Sequence, residues 1–520
     1  MSAIASLLDG VALIATPFTL LLIVIGVTVG LALGATPGIG PVPGIALALP
    51  LTLGLQTWEA LSLLFAIYVG GMYGGAVSAI LLNVPGTAGA IASTFDGYPF
   101  SLRGEAGYAI QISVLASSLG TIFAALLLIL SVPILITVIA LFGTPEYALV
   151  AIFGLTIIPL ISQHSMGKSL LMAGFGLMIS AIGMPPMSSE ARYTFGLLEL
   201  SDGVEFVAVL LGIFAIAEML KLTAYEGSLA DSQPGGSNSA TGSGAVESAE
   251  TAHKPLSPSV ELADRFVDIF IRNPMTFIKS VLVAIVIGFI PAAGGAVSNI
   301  LAYALEKGTA KNSDSFGTGD VRGVIAAESA NSGTIASSLV PLLAFAIPGS
   351  PTAAVILGGM LMHGLNPGPG LFGDSVHMSY ATFVSIALGG LALLFIGLLT
   401  ATQIARVANI EMTTLVPAVI ILCVTGTYAL SLSFIDVVML VSFGLIGYLM
   451  IKYNYSTVAF ILGLILGPVI EENVHRAFQL GDATIFVGAP LRILLVVLIV
   501  GSLIVPIASA AYRQYGNRRS

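Results

Sequence analysis

Gly34-Ala-Thr-Pro37-Gly38-Ile-Gly40 closes one long apolar run, and Gly288-Phe-Ile-Pro291-Ala-Ala-Gly294 closes another. Both fit Gly-x-x-Pro-x-x-Gly. Proline lacks an N–H and clashes with the preceding turn, and glycine reaches dihedrals closed to other residues, so a helix entering either stretch breaks there. A second break follows in each half: Asn83-Val-Pro85-Gly86-Thr87 is echoed by Ala346-Ile-Pro348-Gly349-Ser350. Polar turns expected at Asp96-Gly-Tyr-Pro99 and Asn366-Pro-Gly-Pro369 complete the same order. Three features in one order, twice, predict a duplicated unit.

The surroundings of these breaks are those of a membrane. Of 520 residues, 56% are hydrophobic and 9% charged, with a mean hydropathy of +1.01. Soluble domains carry about 25% charged residues, so a normal water-facing surface is excluded. Stretches such as Val11–Leu33 and Ala106–Leu130 reach the ~20 apolar residues that cross a bilayer. The expected fold is an all-α integral membrane protein with about 12 transmembrane segments, broken and re-entrant helices included, arranged as two inverted repeats. Broken backbone frees N–H and C=O groups that hydrocarbon cannot satisfy, and it is tolerated at membrane depth only inside protein or along a wet cavity. Two pairs of breaks therefore mark a central transporter site, where single Pro-Gly pairs would read as kinks.

Residues 1–224 form the expected first membrane repeat. From 225 to 259 the chain is rich in Gly, Ser, Ala and Pro, including Ser232-Gln-Pro-Gly-Gly-Ser-Asn-Ser-Ala-Thr-Gly-Ser-Gly244, and is expected to be a flexible soluble linker. Residues 260–274, with Asp264, Arg265, Asp268 and Arg272, are expected to lie at the interface, and 275–520 to form the second repeat. Basic residues in the linker region and at Arg513, Arg518 and Arg519 place the linker and the C-terminus in the cytoplasm by the positive-inside rule. The first apolar helix lacks a cleavage pattern and is expected to stay. Glycines at Gly26, Gly30 and Gly34, at Gly70 and Gly74, at Gly71 and Gly75, and at Gly463 and Gly467 suit close helix packing within one subunit, with a homodimer seam as the alternative.

The chemistry on offer is that of binding. The net charge of -9 argues against a nucleic-acid partner. Gly167-Lys168-Ser169 resembles the end of a phosphate-binding loop, but Ser162 stands where its first glycine belongs. There is no His-Glu-x-x-His, the five histidines are scattered, and the single cysteine, Cys423, reads as a small buried hydrophobe. No enzyme activity and no cofactor are expected. The substrate-binding candidates are the break residues Pro37, Gly38, Gly40, Asn83, Pro85, Gly86, Thr87, Pro291, Gly294, Asn331, Pro348, Gly349, Ser350 and Thr352. The polar groups near the breaks are uncharged, as suits an anion held by helix ends, hydroxyls and amides, while freed carbonyls suit Na+. The ion-binding candidates are Asn83, Glu328 and Asn331. Glu328 carries two readings: an intramembrane functional acid, or a helix-start acid near Arg322. Glu59, Glu146, Glu218 and Asp436 read as helix-end acids.

At these motifs the chain resembles the large membrane subunit of the tripartite tricarboxylate transporters (TctA). The carrying residues are Gly34–Gly40, Gly44–Pro50, Tyr73-Gly-Gly75, Ala79–Thr87 and Asp96–Pro99. In the second half they are Leu301–Lys307, Glu328-Ser-Ala-Asn331, Ile347–Ser350 and His363–Pro369. Pro291-Ala292, Ala327, Ser332 and Pro351 depart from the family pattern. The resemblance implies a cytoplasmic (inner) membrane location, a small four-helix membrane partner and an extracytoplasmic solute-binding protein. It further implies uptake of di- and tricarboxylates such as citrate with Na+ or H+ as coupling ion; an elevator-type transporter is expected. Another small organic anion, a channel and an intramembrane enzyme are the competing readings.

Overall fold

The computed structural model describes residues 3–36, 40–161, 165–185, 187, 190–226, 260–291, 293–373, 375–400 and 412–517. Most of the 225–259 stretch, together with Pro37 and Gly38, lies outside the described residues. In the first half the helices are α1 (Ala3–Ile14), α2 (Pro17–Ala35), α3 (Pro41–Leu51), α4 (Thr57–Leu82) and α5 (Ile91–Leu102). They continue with α6 (Ala106–Ile139), α7 (Thr144–Ile161), α8 (Met166–Ser180) and α9 (Phe206–Ala224), the last with a π-helical segment at Leu211–Ile216. The second half holds α10 (Val260–Val267), α11 (Pro274–Gly288), α12 (Gly294–Thr309), α13 (Val321–Ser337), α14 (Leu339–Phe345) and α15 (Pro351–Met362). It ends with α16 (Val376–Thr400), α17 (Met412–Ser431), α18 (Phe434–Lys452), α19 (Thr457–Leu480) and α20 (Pro490–Asn517). Among the described residues there is no strand; Gly183 and Arg192 form an isolated bridge.

Among the described residues seven helices, α2, α4, α6, α9, α16, α18 and α19, are long and apolar enough to cross a membrane. An eighth span is reached if Asp264–Arg272 and Pro274–Gly288, bent by 76° at their junction, are taken together. Shorter apolar helices, among them α3, α8 and α15, fall below bilayer length because Pro and Gly cut the runs they belong to. The outer helices expose long apolar side chains in rows, as Phe18, Leu21 and Ile25 do on α2, which suits contact with lipid.

Glycine decides the closest packing. Carbons added at Gly30 or Gly70 would fall on the backbone of Ile67 or Val27, so α2 and α4 approach until main chain meets main chain. Gly176 and Gly463 do the same for α8 and α19. The glycine pairs thus serve packing within one subunit. At the centre lie α4 and α13. The polarity of α13 is unusual for its position: Glu328, Ser329, Asn331, Ser332, Thr334 and Ser337 are all buried. Burying so many polar groups is costly unless something in the core uses them.

Candidate functional site at the paired helix breaks

In the first half, α2 ends at Thr36, and Gly40, at φ +66°, opens α3. Helix α4 ends at Asn83, whose φ of 57° and ψ of 24° are left-handed, a conformation that suits Asn better than most residues. The chain then turns back: the N–H of Gly86 donates to the Gly75 carbonyl at 3.2 Å. A Cβ on Gly86 would sit 2.9 Å from Gly75 Cα and 2.7 Å from Ser78 Oγ, so only glycine fits. Thr87, extended, opens a single 3-10 turn at Ala88–Ala90 that leads into α5.

The second half repeats this geometry. After α11, Gly294 at φ +52° opens α12. Helix α14 ends at Ala346 with φ 57° and ψ 24°, the angles of Asn83. The N–H of Gly349 donates to Ser338 O at 3.3 Å, the same interval back along the chain as Gly86 to Gly75. A Cβ there would sit 2.8 Å from Ser338 O and 3.0 Å from Gly288 O. Ser350, extended like Thr87, opens α15 and accepts from Ala353 N at 3.1 Å. Gly40 lies against Thr87 as Gly294 lies against Ser350.

The two halves interlock through α4 and α13. Tyr68 on α4 shares a hydrogen bond with Ser350 Oγ at 3.0 Å and approaches Ser338 Oγ at 3.5 Å. Asn331 on α13 donates from Nδ2 to Met72 O on α4 at 3.3 Å. Its Oδ1 rests against Gly89, just past the first half's second break, and Gly295, just past the second half's first. That oxygen has no hydrogen-bond partner, and neither do Thr87 Oγ1, Ser329 Oγ and Ser332 Oγ. Glu328 is fully buried, and its carboxylate accepts from Ser93 Oγ on α5 and from Ser117 Oγ on α6, the latter at 2.7 Å. Among the described residues no Lys, Arg or His pairs with it. It stands mid-helix, and Arg322 is engaged with Asp320 at 2.6 Å, so the helix-start reading fails.

Of the sequence candidates, Gly40, Gly86, Thr87, Gly294, Gly349, Ser350 and Asn331 are brought together by these contacts. Pro291, Pro348 and Thr352 are buried beside them, and Pro85 is half-buried. Asn83 is exposed and acts as a helix terminus. Asp96–Pro99 is a correction: it is not a turn but part of α5. The Asp96 carboxylate explains this. It is buried, and Oδ1 accepts the N–H groups of Gly317, Gly319 and Asp320 at 2.8, 2.9 and 2.8 Å, while Oδ2 accepts from Tyr303 Oη at 2.9 Å. It fastens α5 to the loop before α13. Ser93 is one of the uncharged polar groups that the sequence places near the breaks, whereas Tyr68, Ser117 and Asn299 were not legible as site residues; Asn299 Oδ1 accepts from Ala92 N at 2.8 Å. Their signal is tertiary, since each lies in an otherwise ordinary helical run.

The family model described as "Tripartite tricarboxylate transporter TctA family" matches residues 20–462. A protein of Agrobacterium vitis described as "Uncharacterized 52.8 kDa protein in TAR-I ttuC' 3'region" is 30% identical over 493 residues, 94% of this chain and 93% of that one. A second from the same organism, "Uncharacterized protein in TAR-II ttuC' 3'region", is 31% identical over 207 residues, 39% of this chain and 86% of that one. No solved structure matches.

Proposed function

From the premise that the chain belongs to the tripartite tricarboxylate transporter TctA family, and so is a transport component of the membrane, we propose that it imports di- or tricarboxylates such as citrate together with Na+ or H+. The reading takes the two halves as inverted repeats that present their breaks to one central site, with a solute-binding protein delivering substrate from outside and a small four-helix subunit alongside. The inner membrane is the proposed location, with linker and C-terminus in the cytoplasm. The bend between residues 264–272 and 274–288 supports an interfacial role for the segment ahead of α11.

One observation carries the proposal: a single buried side chain, Asn331, touches Gly89 and Gly295, which follow breaks in opposite halves. Helix breaks so placed hold dipole ends and free main-chain groups at one point. Motion of this core against the outer helices, in the manner of an elevator, accounts for alternating access.

Energetics require the cations. Bringing one negative charge in against 100 mV, inside negative, costs ~2.3 kcal/mol, and a trianion ~7 kcal/mol. At least as many cations as carboxylate charges must accompany the substrate for uptake to be electrically neutral or favourable. Uptake of labelled citrate and a panel of other carboxylates into proteoliposomes, with Na+ and H+ gradients imposed separately, tests this. Uptake that is saturable and collapses with both gradients is expected. Gradient-independent, non-saturating flux would instead make the chain a channel.

A further inference from the structure

Gly167-Lys168-Ser169, which fails as a phosphate-binding loop, falls in the first turn of α8. Its lysine stands at the unfavourable end of its helix. The N-terminal turn carries the positive end of the dipole, and that of α8 holds no acidic residue. Among the described residues no carboxylate pairs with Lys168. Its ammonium donates instead to the Tyr453 carbonyl at 2.6 Å and lies 4.8 Å from the centre of the Tyr455 ring. Lys452, the last residue of α18, likewise has no ion-pair partner among the described residues. Its ammonium is 6.0 Å from the centre of the Tyr453 ring.

Both cations thus meet Tyr453, and Tyr453 borders an apolar cleft. With Tyr455 it lines a volume of about 180 Å³ against Met172 and Phe175 of α8 and Leu449 and Met450 of α18. A second cleft of about 660 Å³ shares Met172 and Phe175 and continues along α8 past Gly174 to Met178. A carbon added at Gly174 would meet nothing within 4 Å. Lys168, Met172 and Phe175 follow one another at helical spacing on one face, so the cleft runs down α8 from a cationic end.

Helix directions fix the side of the membrane on which that end lies. Carbons added at Gly212 and Gly447 would meet Leu440 and Ala217, so α9 and α18 run in the same sense. Lys452 therefore lies where α9 leads into the linker. Arg492 pairs with Glu146 and Ser502 bonds to Thr156, so α20 runs with α7, and its C-terminal end lies where α7 gives way to α8 and Lys168. This is the side proposed as cytoplasmic.

We propose that the cleft between α8 and α18 binds an anionic phospholipid, with its phosphate at Lys168 and Lys452 and an acyl chain laid along α8. Charge complementarity selects this occupant. A free anion would use the lysines and leave the cleft empty, whereas a neutral lipid would fill the cleft and leave Lys168 unpaired beside the positive end of α8. An ammonium has three N–H donors, and Lys168 spends one on Tyr453, which orients the others. Anionic lipids populate the cytoplasmic leaflet, and basic pockets between helices on that side take their head groups.

The test titrates the purified full-length chain in detergent with dioleoyl phosphatidylglycerol, with dioleoyl phosphatidylcholine and glycerol phosphate as comparisons. Bound lipid is read by native mass spectrometry and stability by thermal unfolding. Phosphatidylglycerol is expected to bind saturably and raise the unfolding temperature, phosphatidylcholine to bind at least tenfold more weakly, and glycerol phosphate to do neither. Lys168→Gln combined with Lys452→Gln is expected to weaken phosphatidylglycerol binding by about tenfold or more, equivalent to ~1.4 kcal/mol. Gly174→Leu, which enters the cleft with both lysines in place, is expected to weaken it as well. Unfolding in lipid-free detergent shows that the variants are folded. Equal affinity for the two lipids, or wild-type affinity in the lysine double variant, overturns the proposal. So does stabilisation by glycerol phosphate equal to that by phosphatidylglycerol, which would leave an anion site only. Wild-type affinity in Gly174→Leu removes the chain from the cleft and overturns it too. Loss of lipid binding when the small membrane subunit is co-purified would give the cleft to that subunit instead.

Discussion

The Tyr68 hydroxyl lies 3.0 Å from the hydroxyl of Ser350, joining the central helix of the first half to the break of the second. Both side chains are buried, so water does not replace this bond when it is lost. Tyr68→Phe is expected to lower stability by about 1 kcal/mol and to loosen the second break. Thermal unfolding in detergent checks the first effect, and carboxylate uptake the second. An unfolding temperature equal to that of wild type would show that the bond links the halves in geometry only.

The glycines at the two breaks have no room for a methyl group. Gly86→Ala and Gly349→Ala each drive a carbon into main-chain or Oγ atoms closer than 3.0 Å, and overpacking of this kind costs about 1–3 kcal/mol. Both are expected to lose uptake and folded yield. Gly308→Ala is the control, with nothing within 4 Å of the added carbon; in a helix it is expected to be neutral or to stabilise by about 0.5–1 kcal/mol. If all three behave alike, the breaks do not require glycine.

Glu328 separates shape from charge. Glu328→Gln keeps the volume and one acceptor for the hydroxyls of Ser93 and Ser117, so the fold is expected to survive, as read by size-exclusion profile. Cation-driven uptake is expected to fall by about tenfold or more. Glu328→Ala leaves those hydroxyls unpaired and a cavity beside them, and is expected to cost about 2–5 kcal/mol in addition. Undiminished, still gradient-dependent uptake by Glu328→Gln would remove the carboxylate from the mechanism.

Asp320, which caps α13, gives a pH test outside the membrane core. Burial pushes its carboxyl upward, but hydrogen bonds from Arg322 and Ser315 outweigh this and hold it below the ordinary aspartate range. A depressed native value means that its stabilisation is complete above the unfolded value of about 3.9 and is lost as pH falls through the lower folded value. Asp320→Asn, which keeps a capping oxygen, is expected to be less stable than wild type near neutrality. The gap should narrow as the pH drops below about 4. A gap that stays constant with pH would show that the charge contributes nothing.

Much of the architecture was legible because its signals are local. Apolar run length and low charge determined that the chain is a membrane protein, and Pro and Gly placed the helix breaks within a few residues, since both act on the backbone of their own turn. The ordered recurrence of those breaks predicted two corresponding halves, and Asn83 and Ala346 share the same left-handed angles. Where a residue's state depends on groups distant in the chain, the sequence was silent or misleading. Asp96-Gly-Tyr-Pro99 reads as a turn, yet it is helical because Asp96 collects three N–H groups from a loop more than two hundred residues away. Glu328 could be read as an interfacial acid until packing by α5 and α6 buried it beyond reach of Arg322. Nothing local tells Tyr68 from any other tyrosine in an apolar helix. Breaks are written in the sequence because proline and glycine make them alone. The site is not, because its residues come together only when α4 and α13 pack against each other.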